Sequence, residues 1–156
     1  QGFYMVRPGA LKFLRDLADL YELVIFTAAM PDYADWILDQ LDEEGLIAHR
    51  LYRQHCTPSE DIAIKDLRNL GRDLSKTIIV DNLRENFDST TPENGIWVES
   101  WYDDLDDTVL MRLLPFLEQL VVQEVPDVRA YLTPARRKVI ETCLFGAKPI
   151  PTLDNL

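Results

Sequence analysis

The stretch Thr77-Ile78-Ile79-Val80-Asp81-Asn82 constrains the fold more than any other in the chain. Three consecutive β-branched aliphatics follow Thr77 and run straight into a carboxylate and a carboxamide. An apolar run this short, bounded by Lys76 and by polar groups, predicts a strand buried on both faces of a parallel sheet. In open α/β sheets, ligands bind just outside the carboxyl ends of such strands. Asp81 and Asn82 therefore stand where an active site is expected, and their oxygens suit a hard cation such as Mg²⁺. For the hexapeptide alone, a strand closed by an Asx turn accounts equally well for the residues.

The rest of the chain alternates in the same manner. Phe3–Val6 reads as a short strand, and Pro8 opens a helix with Leu11, Leu14, Leu17, Ala18 and Tyr21 at helical spacing. Leu23–Phe26 is a second apolar strand that ends on Thr27. A helix follows Pro31, with Ala34, Ile37, Leu38 and Leu41 on one face and Gly45 as its stop. Arg50–Arg53 reads as a strand, Cys56–Asp61 as a polar loop, and Ile62-Ala63-Ile64 leads into Lys65-Asp66. Residues 69–73 are turn-like, residues 86–94 form a loop, and Ile96–Val98 is another strand. From Asp106 or Asp107 a capped helix runs to Val121, with Pro115 as a kink signal. Val125–Leu132 predicts a short helix, residues 133–145 another, and the last ten residues a tail. Strands alternating with helices predict an α/β fold, a three-layer, mostly parallel sheet flanked by helices. Residues 1–132 form the main domain, and residues 133–156 a C-terminal helix and tail.

Composition narrows the function classes. A net charge of −11 over 156 residues disfavours a broad electrostatic grip on nucleic acid or anionic membrane, so no direct nucleic-acid partner is expected. A local phosphate site remains compatible with it, because N–H groups, one lysine and a metal can hold a phosphate on an acidic protein. No apolar run reaches the length of a membrane span, so insertion by this segment is not expected. Two cysteines, Cys56 and Cys143, form no disulfide framework and point to a reducing compartment.

Thr27, Lys65 and Asp81-Asn82 stand at or near strand ends. Singly, Thr27 is a cap or turn residue, and Lys65 beside Asp66 is a solvated pair. Together, a hydroxyl, an ammonium and a metal-binding pair are the parts that hold a phosphoryl group and stabilise its charge during transfer. His49, His55, Cys56 and Cys143 match no zinc module. Trp97 and Trp101 read as core and loop anchors. Arg136-Arg137-Lys138 reads as a solvated helix face.

The ordered set Arg7-Pro8-Gly9, Tyr21–Ala28, Tyr33-Ala34-Asp35, Ile64–Leu67, Leu70–Lys76, Ile79–Asn82, Pro92-Glu93-Asn94 and Ser100–Asp104 resembles the FCP1/SCP-type small phosphatases of the haloacid dehalogenase superfamily. The resemblance covers roughly residues 4–132. It implies an aspartate-based, Mg²⁺-dependent protein serine/threonine phosphatase acting through an aspartyl-phosphate, on the RNA polymerase II C-terminal domain or a similar phosphopeptide. By position it implies that Thr27 and Lys65 bind the phosphoryl group, that Asp81 and Asn82 hold Mg²⁺, and that Arg53 lies near the substrate entrance. The family's Asp-x-Asp-x-Thr motif, whose first Asp is the nucleophile and whose second is the acid/base, does not occur in these residues. Leu83 also stands where many relatives carry serine. These 156 residues are therefore expected to be part of a longer protein and to be inactive alone. The compartment implied is nuclear or cytoplasmic, or an organelle membrane reached through other regions. The alternative implied is an inactive, phosphatase-like binding module of the kind found among mitochondrial import receptors.

Overall fold

The computed structural model describes residues 2–156. Strand β1 (Val24–Phe26) pairs in parallel with β2 (His49–Leu51), placing Ile25 opposite Arg50. Strands β3 (Thr57–Ser59) and β4 (Ile62–Ile64) form an antiparallel hairpin. Strand β5 (Ile79–Asp81) pairs in parallel with β6 (Gly95–Trp97), placing Asp81 opposite Trp97. Four α-helices flank these ladders: α1 (Ala10–Ala18), α2 (Pro31–Leu41), α3 (Val109–Val122) and α4 (Pro134–Phe145). The fold is α/β, with two of its three strand pairs parallel. The sheet is divided into two-stranded pieces, and among the described residues β1 and β5 each have a single ladder partner. Val24 is accordingly exposed, although its apolar run predicts a buried strand.

Helix α3 organises the core. Its wide apolar stripe buries Val109, Leu113, Leu114, Phe116, Leu117 and Leu120, and the helix continues unbroken through Pro115. Helices α1 and α4 pack against it. Tyr21, just beyond α1, donates its phenol hydrogen to the Leu117 carbonyl at 2.6 Å. Gly9 enters α1 at φ 80°, a left-handed conformation that glycine adopts without steric cost. Helix α2 begins with Pro31 and ends at Leu41, four residues before Gly45, because the Asp42 carboxylate accepts the N–H groups of Leu46 and Ile47.

Four local expectations are corrected. Phe3–Val6 is not a strand; it has no ladder partner, and Tyr4 instead meets Trp36 edge-on at 5.5 Å between ring centroids. The polar stretch after Cys56 is not an open loop but the first arm of the β3–β4 hairpin, turned at Glu60 with φ 49°. Val125–Leu132 forms only a 3₁₀ turn at Val128–Tyr131, after Pro126 removes a backbone donor and the Asp127 carboxylate caps the Arg129 N–H. The C-terminal residues are docked: Leu153 is buried, and its N–H donates to the Gln119 side chain on α3.

Candidate functional site

The strand expected to carry the chemistry delivers Asp81 as the last residue of β5, buried, with its backbone carbonyl accepting the Val98 N–H. Lys65, directly after β4, is also buried, and its Nζ lies 2.7 Å from Asp81 Oδ2. The neighbour suggested by sequence, Asp66, is turned away. Its carboxylate takes the N–H and the guanidinium of Arg68, which holds its pKa below the ordinary aspartate range. Lys65 is thus not one half of a solvated pair but the buried partner of Asp81.

Asn86 completes this cluster, and sequence reading missed it. Its Nδ2 donates to Asp81 Oδ2 at 3.1 Å, and its carbonyl accepts the Lys65 N–H at 2.8 Å. One buried asparagine therefore fixes both the lysine backbone and the aspartate side chain. Asp81 Oδ1 accepts the Leu83 N–H at 3.0 Å. In the sequence, Asn86 belongs to a run of polar loop residues and carries no signal that distinguishes it.

Thr27 follows β1. Its backbone N–H continues the ladder to the Leu51 carbonyl, while its Oγ1 accepts the Ala29 N–H at 3.0 Å. This hydroxyl is a turn-former that keeps its own hydrogen free to donate. Arg53 is exposed in a 3₁₀ turn beside that segment; its N–H bonds the Ala29 carbonyl and its guanidinium the Ala28 carbonyl. Thr27 with Arg53 and Lys65 with Asp81 form two clusters. Cys56 relates them: burial pushes its thiol pKa up, the charges of Lys65 and Arg53 oppose that rise, and the charge of Asp81 adds to it. Asn82, next in sequence to Asp81, is exposed, with its Nδ2 on Ser100 Oγ at 2.9 Å and its carbonyl accepting the Trp97 indole N–H at 3.0 Å.

A carboxylate offers about four acceptor positions. Lys65, Asn86 and Leu83 take three of those on Asp81. What remains is one lone pair on Asp81 and the side-chain oxygen of Asn82. No group of three or more His, Cys, Asp or Glu converges among the described residues. Mg²⁺ typically takes one or two carboxylates and fills its octahedron with water and phosphate oxygens. The donors present fit such an ion as the protein's part of a mixed shell. Next to them, the buried Lys65 ammonium suits an anionic group, while the Thr27 hydroxyl belongs to the other cluster.

An α/β domain with an acidic residue at a parallel strand end and a buried lysine beside it is an arrangement suited to holding phosphate. Residues 1–129 match the model of the NLI interacting factor-like phosphatase family, and the chain belongs to that family. It is 42% identical over 120 residues to the human carboxy-terminal domain RNA polymerase II polypeptide A small phosphatase 2, covering 77% of this chain and 44% of that protein. It is 40% identical over 132 residues to the CTD small phosphatase-like protein 2 of Dictyostelium discoideum, covering 85% of this chain and 23% of that protein. The chain thus spans less than half the length of these curated relatives. The solved structure of Fcp1, an essential RNA polymerase II CTD phosphatase, shares the fold at a TM-score of 0.56 and 24% identity, covering 92% of this chain and 34% of that one.

Proposed function

We propose that this chain is the larger part of an Mg²⁺-dependent protein serine/threonine phosphatase domain that works through an aspartyl-phosphate. The observation that carries the reading is the buried Lys65–Asp81 pair, 2.7 Å apart at the end of β5 and braced by Asn86. Burying two charges is costly unless their geometry is fixed, and a preorganised ammonium facing a developing phosphoryl charge is where that cost returns as catalysis. Lys65 neutralises the phosphoryl oxygens, and Thr27 Oγ donates its free hydrogen to one of them. Asp81 and Asn82 hold the Mg²⁺, which when bound supplies charge neutralisation at the transferring phosphate. Arg53 stands exposed near Thr27 and receives the peptide around the phosphorylated residue. The nucleophilic Asp and the acid/base Asp come from sequence other than these 156 residues. A strand carrying them has a place beside β1 or β5, each of which has one ladder partner among the described residues.

Membership of the family supports a phosphoprotein substrate; we take it to be a phosphoserine or phosphothreonine peptide such as the RNA polymerase II C-terminal domain, met in the nucleus or cytoplasm. The test is hydrolysis of p-nitrophenyl phosphate and of a phosphoserine peptide by the longer protein, with and without Mg²⁺. Turnover is expected to require the ion and to fall at least about a hundredfold in Lys65→Ala and in Asp81→Ala. The 156-residue chain alone is expected to be silent. A longer protein with no Mg²⁺-dependent turnover, or with turnover indifferent to both substitutions, refutes the phosphatase reading and leaves that of a binding module.

A further inference from the structure

Helix α4 lies beyond residues 1–129, the part that matches the family model, yet it reaches the loop that carries the candidate site. It buries only Ile140, Glu141 and Leu144, and the middle one is a carboxylate. Burying a charge is unfavourable unless it is fully paired. Each oxygen of Glu141 has a partner: one takes the guanidinium of Arg84, and the other takes the Trp97 N–H at 2.6 Å. Both partners lead back to the site. Arg84 begins the 3₁₀ turn Arg84–Asn86, whose last residue holds Asp81 and Lys65. Trp97 stands opposite Asp81 in the β5–β6 ladder, and its indole N–H holds the Asn82 carbonyl. The Arg84 guanidinium also lies over the Trp97 ring at 5.3 Å, and Phe145 of α4 stacks on the same ring at 6.3 Å. A single carboxylate thus anchors both sides of the Asp81-Asn82 segment.

We propose that α4 is a brace built onto the phosphatase-type domain, with Glu141 as a positioning residue that fixes the Asp81–Asn86 loop through Arg84 and Trp97. The inference rests on the reading of Asp81 and Asn82 as the working end of β5. Glu141 touches neither substrate nor metal in this account. It sets how rigidly Asp81, Asn82 and Asn86 are presented, and therefore how much of their geometry is already in place when a phosphoryl group arrives.

The test is amide hydrogen exchange on the longer protein, free of metal and substrate. The informative amides are Leu83, bonded to Asp81, and Lys65, bonded to Asn86. Thr27 and Ala48, bonded to Leu51 and Leu23 respectively, are internal references. Glu141→Ala is expected to speed exchange at Leu83 and Lys65 by about tenfold or more relative to the references, the effect of losing a charge-assisted hydrogen bond. Glu141→Gln keeps one acceptor oxygen for the two donors that Glu141 serves with two, and is expected to give a ratio between those of the parent and Glu141→Ala. Ile140→Val trims the adjacent buried side chain, leaves Arg84 and Trp97 untouched, and is expected to leave the ratio unchanged. No acceleration in Glu141→Ala, or equal acceleration in Ile140→Val, overturns the proposal by reducing α4 to general packing. Should Glu141→Ala not fold, Arg84→Lys reads the same ratio. It is expected to raise it about threefold by losing the planar guanidinium that bonds Glu141 and lies over the Trp97 ring, and an unchanged ratio there also overturns the proposal. Exchange requires no turnover. A protein that passes it but fails to hydrolyse phosphate keeps the brace and loses the phosphatase reading; the opposite pair of results does the reverse.

Discussion

Removing either member of the Lys65–Asp81 pair is expected to cost much more stability than their joint replacement suggests. The two side chains are 11% and 3% exposed and meet at 2.7 Å. Lys65→Met leaves a buried carboxylate with only the Asn86 amide and the Leu83 N–H as donors. Asp81→Asn leaves a buried ammonium facing a neutral amide. Breaking a buried pair from one side typically costs about 3–5 kcal/mol, because an uncompensated charge remains. The double variant Lys65→Met/Asp81→Asn leaves no charge behind. It loses hydrogen bonds worth about 1–3 kcal/mol, since the introduced amide has one acceptor oxygen for the two donors that Asp81 serves with two. The two single losses should therefore exceed the double loss by about 3 kcal/mol or more, at the upper end for residues in one network. Urea unfolding of the parent, both single variants and the double variant measures the coupling directly, provided the denaturant slope is the same in all of them. Additivity within about 0.5 kcal/mol would rule out a desolvated pair, because it would mean that water already screens the two charges in the folded protein. The same series separates stability from function: the double variant should recover most of the folding free energy and none of the phosphatase activity.

Two further outcomes follow from packing and ionisation. A Cβ added at Gly95 would overlap the ring of Phe87, which is fully buried and packs with Leu67 and Ile79. Gly95→Ala is therefore expected to cost about 2–3 kcal/mol and lower Tm by roughly 4–12 °C in calorimetry, with recovery when Phe87→Leu is added. The Tyr21 phenol is pushed up to about 12 by burial, whereas an unfolded tyrosine ionises near pH 10. Its contribution to stability is thus whole below about pH 10 and lost as pH rises toward 12. Tyr21→Phe should remove that alkaline limb, cost about 1 kcal/mol at neutral pH, and delete the latest step in tyrosinate absorbance.

What the sequence made legible was what periodicity and strand ends encode. Apolar spacing located α1, α2 and α3, the Thr133-Pro134-Ala135 start located α4, and the run from Thr77 to Val80 announced the strand that ends on Asp81. The β3–β4 hairpin was hidden because Thr57-Pro58-Ser59 has no apolar alternation and stays exposed on both faces. The choice of ionic partners was hidden as well. Adjacency joins Lys65 to Asp66, but Asp66 is taken by the Arg68 turn, and the fold brings Asp81 from sixteen residues away. Arg137 reads as one of three solvated cations, yet it is largely buried and donates to the Pro92 carbonyl. Glu141 sits in Val-Ile-Glu-Thr-Cys, where nothing distinguishes a core-facing carboxylate from a surface one. Pairings of this kind depend on tertiary distance, which the local pattern does not carry.

Asn86 also determines where this chain can change length. Because it grips Lys65 with its carbonyl and Asp81 with its amide, the five-residue step from Asp81 to Asn86 acts as a ruler. An extra residue there would pull one grip away from the other. The surface connection around Gly71, where an added Cβ would meet nothing, lies outside that span. Lengthening a flexible loop costs only about 0.6 kcal/mol per doubling. Insertions, deletions and grafted tags therefore belong near Gly71, while the interval after Asp81 is held to a single length.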